Sequence, residues 1–249
     1  MTKRTRRILF YTCAILFLVV SYVAITYSLG YKYSFREGRF FRTGALTLQV
    51  STSANVYVND KLEGSTSLLT NSFGFDRLLP GVYSIRAQRD GYTSWQKNVT
   101  VYEGLVTDFP NVLLLPTDDE SGVKLMTEVR EIFTTPVEKT ADIVLRQRAL
   151  YRVVEERQEL IAKDVYGYVL SEDGSRLLWW TPREIWVLWL SDTSYQPVKS
   201  NGNRELIVKS PTAIKRAQWF RGNDHIVFEA AGYKIVEIDT RSGVNVIKL

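Results

Sequence analysis

Between Ile8 and Tyr31 lie twenty-four consecutive residues without a formal charge, directly preceded by Lys3, Arg4, Arg6 and Arg7. A helix of that length rises about 36 Å at ~1.5 Å per residue, enough to cross a hydrocarbon core of ~30 Å with some tilt. A soluble core helix has little need of such a run. Basic residues are retained on the cytoplasmic side, so the cluster before the run, against the sparser Lys32, Arg36 and Arg39 after it, favours an N-in, C-out topology. Residues 1–31 read as a short cytoplasmic tail and transmembrane anchor, with everything beyond Tyr31 extracytoplasmic. Tyr11, Tyr22, Tyr27 and Tyr31 are spaced along the run, and the last pair suits the outer interface, where amphipathic rings settle. A cleaved signal peptide is the rival reading; it has a shorter apolar region followed by small residues at a processing site. No Ala-x-Ala triplet closes this run, and the nearest candidate, Ala24-Ile25-Thr26, lies inside it. An uncleaved anchor is therefore preferred.

The single cysteine, Cys13, falls within the run and follows Phe10, Tyr11 and Thr12 rather than the small residues that lipid attachment favours. It reads as a membrane-buried thiol, so no intramolecular disulfide is available and the outward part must hold together by packing. The formal charge is +5, and the four cations before the run leave +1 for the rest of the chain. A near-neutral ectodomain has no general excess for phosphate backbones, and nucleic acid is not expected as a partner.

Beyond a polar, aromatic neck (residues 32–43), residues 44–116 read as five or six short strands broken by turns. The second half of Ala45 to Val50 alternates, Val56 and Val58 flank Tyr57, and Tyr83, Ile85 and Ala87 alternate with Ser84, Arg86 and Gln88. Asn59-Asp60, Pro80-Gly81 and Asp90-Gly91 fall between those runs, as tight turns require. Val99 and Val101 start another strand, and Val112 to Leu115 a further one. Such a segment makes a small antiparallel β-sandwich.

Three separated features occur here in order: Val56-Tyr57-Val58-Asn59-Asp60, Leu79-Pro80-Gly81-Val82-Tyr83 and Gly91-Tyr92. With Ala54 ahead of them, the segment resembles a PEGA domain, a small extracytoplasmic β-module. Ser51-Thr52-Ser53 stands where Pro-Glu-Gly is expected, and Asp60 replaces the usual turn glycine. On physical grounds these residues are structural: Gly81 and Gly91 suit turns, while Tyr83, Tyr92 and Trp95 offer apolar area to a small core.

Residues 117–122 form a polar linker. Asp118, Asp119 and Glu120 cluster there, but without the glycine and terminal glutamate spacing of a helix-loop-helix calcium site. From Val123 to Ile161 the periodicity fits either a helix face or strands around Ala149 to Val154. Strands are preferred, because the remainder of the chain repeats a pattern of turns and strands.

Ser171 to Trp179 pairs with Phe220 to Phe228 at an offset of 49, and Ile185 to Leu188 with Ile235 to Ile238 at an offset of 50. A repeat of roughly 40–50 residues built of turns and strands suggests propeller blades. Residues 123–249 resemble WD-repeat and Tol-system propellers, in which an Asp-Gly-like turn precedes an apolar strand and a second strand ends near an acid, here Asp192 and Asp239. A generic antiparallel sheet remains open as the alternative. Leu177 to Trp180 and Ile185 to Leu190 are apolar at successive positions, so both strand faces need cover. A closed ring needs about four to eight blades, and the space after the linker holds about three. Since Val246 to Leu249 reads as mid-strand, either a longer chain or a partner would cover the open edge.

His225 is the only histidine and is placed in the Asn223-Asp224-His225 turn, which argues against a histidine triad or multi-histidine metal site. No phosphate-loop, dinucleotide or nucleophile-elbow string occurs. Asp173, Asp192, Asp224 and Asp239 lie in expected turns, where solvation and turn hydrogen bonding account for them. Asn98-Val99-Thr100 matches a glycan acceptor, relevant only in a eukaryotic secretory host. Trp179, Trp180, Trp186, Trp189 and Trp219, together with Trp95, are the candidate ligand-contact aromatics: they could stack on cell-wall glycan, although packing between blades is the preferred reading.

The fold class expected is mainly β, with an N-terminal transmembrane helix, a PEGA-like sandwich and incomplete propeller-like blades. The function expected is non-catalytic binding or scaffolding at a bacterial-type cell envelope, without cofactor or metal. Its partners would be the lipid bilayer and a wall glycan or another envelope protein. An accessory or catalytic subunit of an envelope enzyme, its propeller completed elsewhere, is the alternative. A sensor is disfavoured because about seven cytoplasmic residues hold no output domain.

Overall fold

A computed structural model of the chain describes residues 2–35, 37–117, 133, 142–155, 157–220 and 223–249. The linker acids Asp118 to Glu120, most of the ambiguous stretch after them, Arg36, and Arg221-Gly222 of the echo lie outside the described residues. The fold is mainly β with one N-terminal apolar helix, and it divides into two compact units: residues 1–85 with 98–112, and residues 86–97 with 113–249.

In the first unit, helix α1 (Lys3–Ser28) begins at Thr2, whose hydroxyl accepts the Thr5 N–H, and buries none of its residues. It is long and apolar enough to span a membrane or to serve as a signal sequence. Two hydroxyls near its end turn back on the helix, Thr26 to the carbonyls of Tyr22 and Val23 and Ser28 to that of Ile25. The helix stops three residues earlier than the uncharged run, because Gly30 adopts φ +81° and turns the chain into a hairpin. Tyr31 consequently belongs to β1 (Tyr31–Ser34), which pairs antiparallel with β2 (Arg39–Arg42), so the expected neck is a β-hairpin. Thr43 ties it back, donating both its N–H and its hydroxyl to the Gly30 carbonyl at 2.8 Å each.

Seven strands come next: β3 (Gly44–Val50), β4 (Asn55–Val58), β5 (Lys61–Ser65), β6 (Ser72–Leu78), β7 (Gly81–Gln88), β8 (Trp95–Val101) and β9 (Val106–Val112). They form two sheets, ordered β6-β3-β9 and β5-β4-β7-β8. Period-two burial holds as expected, with Leu46, Leu48 and Val50 inside on β3 and Val99 and Val101 inside on β8. Asn59 and Asp60 both take positive φ in the β4–β5 turn, and Gly91 does so in the β7–β8 turn.

Two expectations need correction. Val99 and Val101 end a strand rather than start one, and Val112 closes β9, leaving Leu113 to Leu115 outside any strand. The arrangement is also not purely antiparallel, since β3 and β9 run parallel. The turn at Tyr102–Leu105 carries the chain from one sheet to the other, so β9 reaches the free edge of β3 from the same direction.

Among the described residues the second unit contains three sheets of sequence-consecutive antiparallel strands. The first is β10 (Ile143–Arg146), β11 (Ala149–Val154) and β12 (Arg157–Ala162), which bears out the preference for strands there. The second is β13 (Gly167–Leu170), β14 (Arg176–Trp180), β15 (Glu184–Trp189) and β16 (Arg204–Lys209). The third is β17 (Arg216–Phe220), β18 (His225–Glu229), β19 (Tyr233–Glu237) and β20 (Val246–Lys248). The echo at offsets 49 and 50 is therefore one of like strands, with β14 matching β18 and β15 matching β19.

Stacking explains the unbroken apolar runs. Leu177, Trp179 and Leu188 face Ile143, Leu150 and Ile161 of the first sheet, while Leu178, Trp180 and Val187 face Ile226, Phe228 and Val236 of the third. Leu113 and Phe133 cover the other side of the third sheet at Val227 and Ile235. The sheets do not close into a ring among the described residues.

Candidate functional site

The six tryptophans are placed mostly as packing elements. Trp95, Trp179, Trp180 and Trp189 are buried, so none of these four offers an open ring face to a sugar. Trp186 and Trp219 are half-buried: Trp186 stacks on Trp179 with ring centroids 6.0 Å apart and donates to Glu184, and Trp219 donates to the Val169 carbonyl on the neighbouring sheet. For Trp179 and Trp180 the cause is that alternating positions of β14 meet a different sheet on each side.

Two clusters of ionisable groups in the second unit are committed to one another. Lys97, whose side chain is 1% exposed, donates to the Asp239 carbonyl at 2.6 Å and lies 3.0 Å from the Glu237 carboxylate and 3.8 Å from that of Asp239. Glu237 also accepts the Trp95 indole N–H at 3.0 Å and both the backbone and side-chain nitrogens of Asn245. Burial pushes the Asp239 carboxyl up, but hydrogen bonds from Arg241 and the charges of Lys97 and Arg241 outweigh it and hold the group below its ordinary value. Residues 86–97 belong to this unit, so the cluster clasps the Trp95–Lys97 segment to the end of β19.

Arg176 forms a second cluster at the start of β14. It donates to the Asn223 carbonyl at 2.6 Å, to Asp224 at 3.2 Å and to the Tyr195 hydroxyl. Burial raises the Asp224 carboxyl above its ordinary value despite the guanidinium, and burial likewise raises the Tyr195 phenol. Asp224 does lie in a turn, as expected, but it and Asp239 are partly buried ion partners rather than solvated acids, and His225 is a buried strand residue beyond that turn. Asp173 and Asp192 do cap turns: Asp173 accepts from Ser171 and Ser175, and Asp192 from the Asn201 N–H. Among the described residues no group of three or more His, Cys, Asp or Glu is placed to hold a metal.

A different kind of site lies in the first unit, where α1 ends. A recess of about 190 Å³ is lined by Tyr27, Gly30, Tyr31, Lys32, Thr43 and Arg77. Arg77 reaches it through a bulge in β6: Leu78 pairs with Gly44 and Phe75 with Leu46, and Arg77 takes φ +58° between them. That geometry lays its guanidinium over the Tyr27 ring, 4.0 Å from the centroid. Among the described residues neither Lys32 nor Arg77 pairs with a carboxylate, and no acid lines the recess. A wider cleft of about 470 Å³ adjoins it, sharing Lys32 and Arg77 and adding Lys61, which pairs with Glu63, and Asp76. Two unpaired cations beside two phenols can hold an oxyanion by charge-assisted hydrogen bonds. Sequence reasoning used Lys32 only as a topology marker and passed over Arg77. Forty-five residues separate the two, and no local pattern links them.

No protein-family model matches the chain, and no curated protein matches it.

Proposed function

We propose that this chain is a single-pass membrane protein of a bacterial-type cell envelope, oriented N-in, which displays a β-rich ectodomain for binding or scaffolding without catalysis. In this reading residues 44–116 are a PEGA-like two-sheet sandwich and residues 123–249 are propeller-like blades. The observation that carries it is α1: twenty-six residues with no buried side chain, joined through Gly30 and Thr43 to a mainly β body. An apolar helix with no protein cover belongs in lipid, and the cations at its start set its direction. The blade reading draws support from two successive four-stranded meanders whose strands match at the repeat of the sequence. A non-catalytic role is supported by Lys97, Arg176, Glu237 and Asp239 being committed to ion pairs inside the fold.

Fractionation of cells expressing the full chain, with protease applied to intact cells or spheroplasts, tests the placement. The expected result is retention in the membrane after alkaline wash and digestion of everything beyond about Tyr31 from outside. Recovery of the full-length chain in the soluble fraction, or protection of its β-rich part from external protease, would refute it.

A further inference from the structure

The recess at the end of α1 belongs to a larger surface that the strand register defines. Gly44, immediately after the Thr43–Gly30 hydrogen bonds, pairs with Leu78 and packs so closely on the next turn that a Cβ there would meet the Tyr102 carbonyl at 2.4 Å. Ala45 N–H bonds to the Leu105 carbonyl at 3.0 Å, and the Arg42 side chain lies against Gly104. The base of the β1–β2 hairpin, the β6–β7 turn and the β8–β9 turn therefore all sit at the helix end of the first unit.

In and beside these turns, large apolar side chains stand exposed. Phe35 is 92% exposed, Val82 67%, Tyr102 59% and Leu105 57%. Tyr33 meets both Phe35 and Phe40 edge-on, with centroids 5.2 and 5.1 Å apart, in a cluster on one face of the hairpin. Glu103 lies in the β8–β9 turn and Asp76 beside Arg77, while the recess itself is lined by Lys32 and Arg77 and by no acid.

The depth of this surface is set by α1. Ile8 to Ser28 is twenty-one residues, about 31 Å of helix, which matches a hydrocarbon core of ~30 Å. Tyr27 then lies at the outer edge of the core, and Arg77, 4.0 Å from its ring, lies within the headgroup layer of about 5–7 Å beyond. Aromatic rings and cations are the residues that favour this layer.

We propose that the helix end of the first unit is seated on the outer leaflet of the bilayer that α1 crosses, with Lys32 and Arg77 taking the phosphate of a lipid headgroup in the recess. This rests on the reading of α1 as an anchor. The occupant is the leaflet because the surface is continuous with the span and because the unpaired cations complement its phosphates.

The full chain, carrying Cys13→Ser and a single new cysteine at Val82, Leu105 or Leu68, is labelled with an environment-sensitive fluorophore and reconstituted into phosphatidylglycerol or phosphatidylcholine vesicles bearing a headgroup-attached quencher. Leu68 is the control: it is 90% exposed at the far end of β3, about 20 Å away. The expected result is strong quenching at 82 and 105 and little at 68, with quenching in phosphatidylglycerol falling on Lys32→Glu with Arg77→Glu and unaffected by free inorganic phosphate. If the chain does not float with the vesicles, the anchor fails and the seat with it. If it floats but 82 and 105 are quenched no more than 68, the seat alone is overturned. Indifference to the double charge reversal, or release of the labels by inorganic phosphate, overturns the headgroup contact.

Discussion

Lys97→Met removes the charge at the centre of the second unit's clasp while keeping most of the side-chain volume. At an effective dielectric of about 20, charges 3.0 Å apart attract by roughly 5 kcal/mol and charges 3.8 Å apart by roughly 4 kcal/mol, before desolvation is subtracted. Desolvation of a side chain only 1% exposed cancels much of this in the intact cluster, but removal of Lys97 leaves the buried Glu237 without its cation, while Asp239 keeps Arg241. Breaking such a pair costs about 3–5 kcal/mol. With a urea dependence of about 2 kcal/mol per molar, the unfolding midpoint of the second unit falls by roughly 2 M. The assay is urea unfolding of the full chain in detergent, with hydrogen exchange of the β19 amides reporting the region. Lys97→Met combined with Glu237→Gln should lose less than the two single changes added together, because the orphaned carboxylate is then neutral. A loss under about 1 kcal/mol for Lys97→Met would show that the clasp is solvated and that the reasoning from burial is mistaken.

Asp239 is held below its ordinary value of 3.8, so its contribution to stability is present above that pH and is lost as pH falls through its lower folded value. Asp239→Asn should flatten the acid limb of a pH–stability curve, which thermal melts across that range would record. Gly167→Ala would bring a Cβ to 2.3 Å from the Trp180 ring, and overpacking of this kind costs about 1–3 kcal/mol, measurable as a lower melting temperature. Trp180→Ala should cost about 3–5 kcal/mol. Trp186→Ala, at a half-buried ring, should cost distinctly less in the same melts, and equal losses would contradict the burial difference.

The elements were legible where their cause is local. An uncharged run, period-two alternation and turn dipeptides act over a few neighbouring residues, so α1, β3, β7 and the Asn59-Asp60 and Asp90-Gly91 turns could be read before any packing was known. The repeat at offsets 49 and 50 was also legible, since like strands in like surroundings select like residues. The helix end shifted because one glycine, Gly30, outweighed the continued lack of charge.

What covers each face was not written in any one stretch. Alternation announces that a side is buried but not which sheet buries it, so the tryptophans could not be sorted into interior and half-exposed rings until the three sheets were stacked. The parallel pairing of β3 with β9, the meeting of Trp95 and Lys97 with Glu237, and the convergence of Lys32 with Arg77 all join residues far apart in the chain. Such contacts arise from chain direction and sheet crossover. They depend on how all the strands pack together, and a residue's neighbours in sequence carry no trace of that.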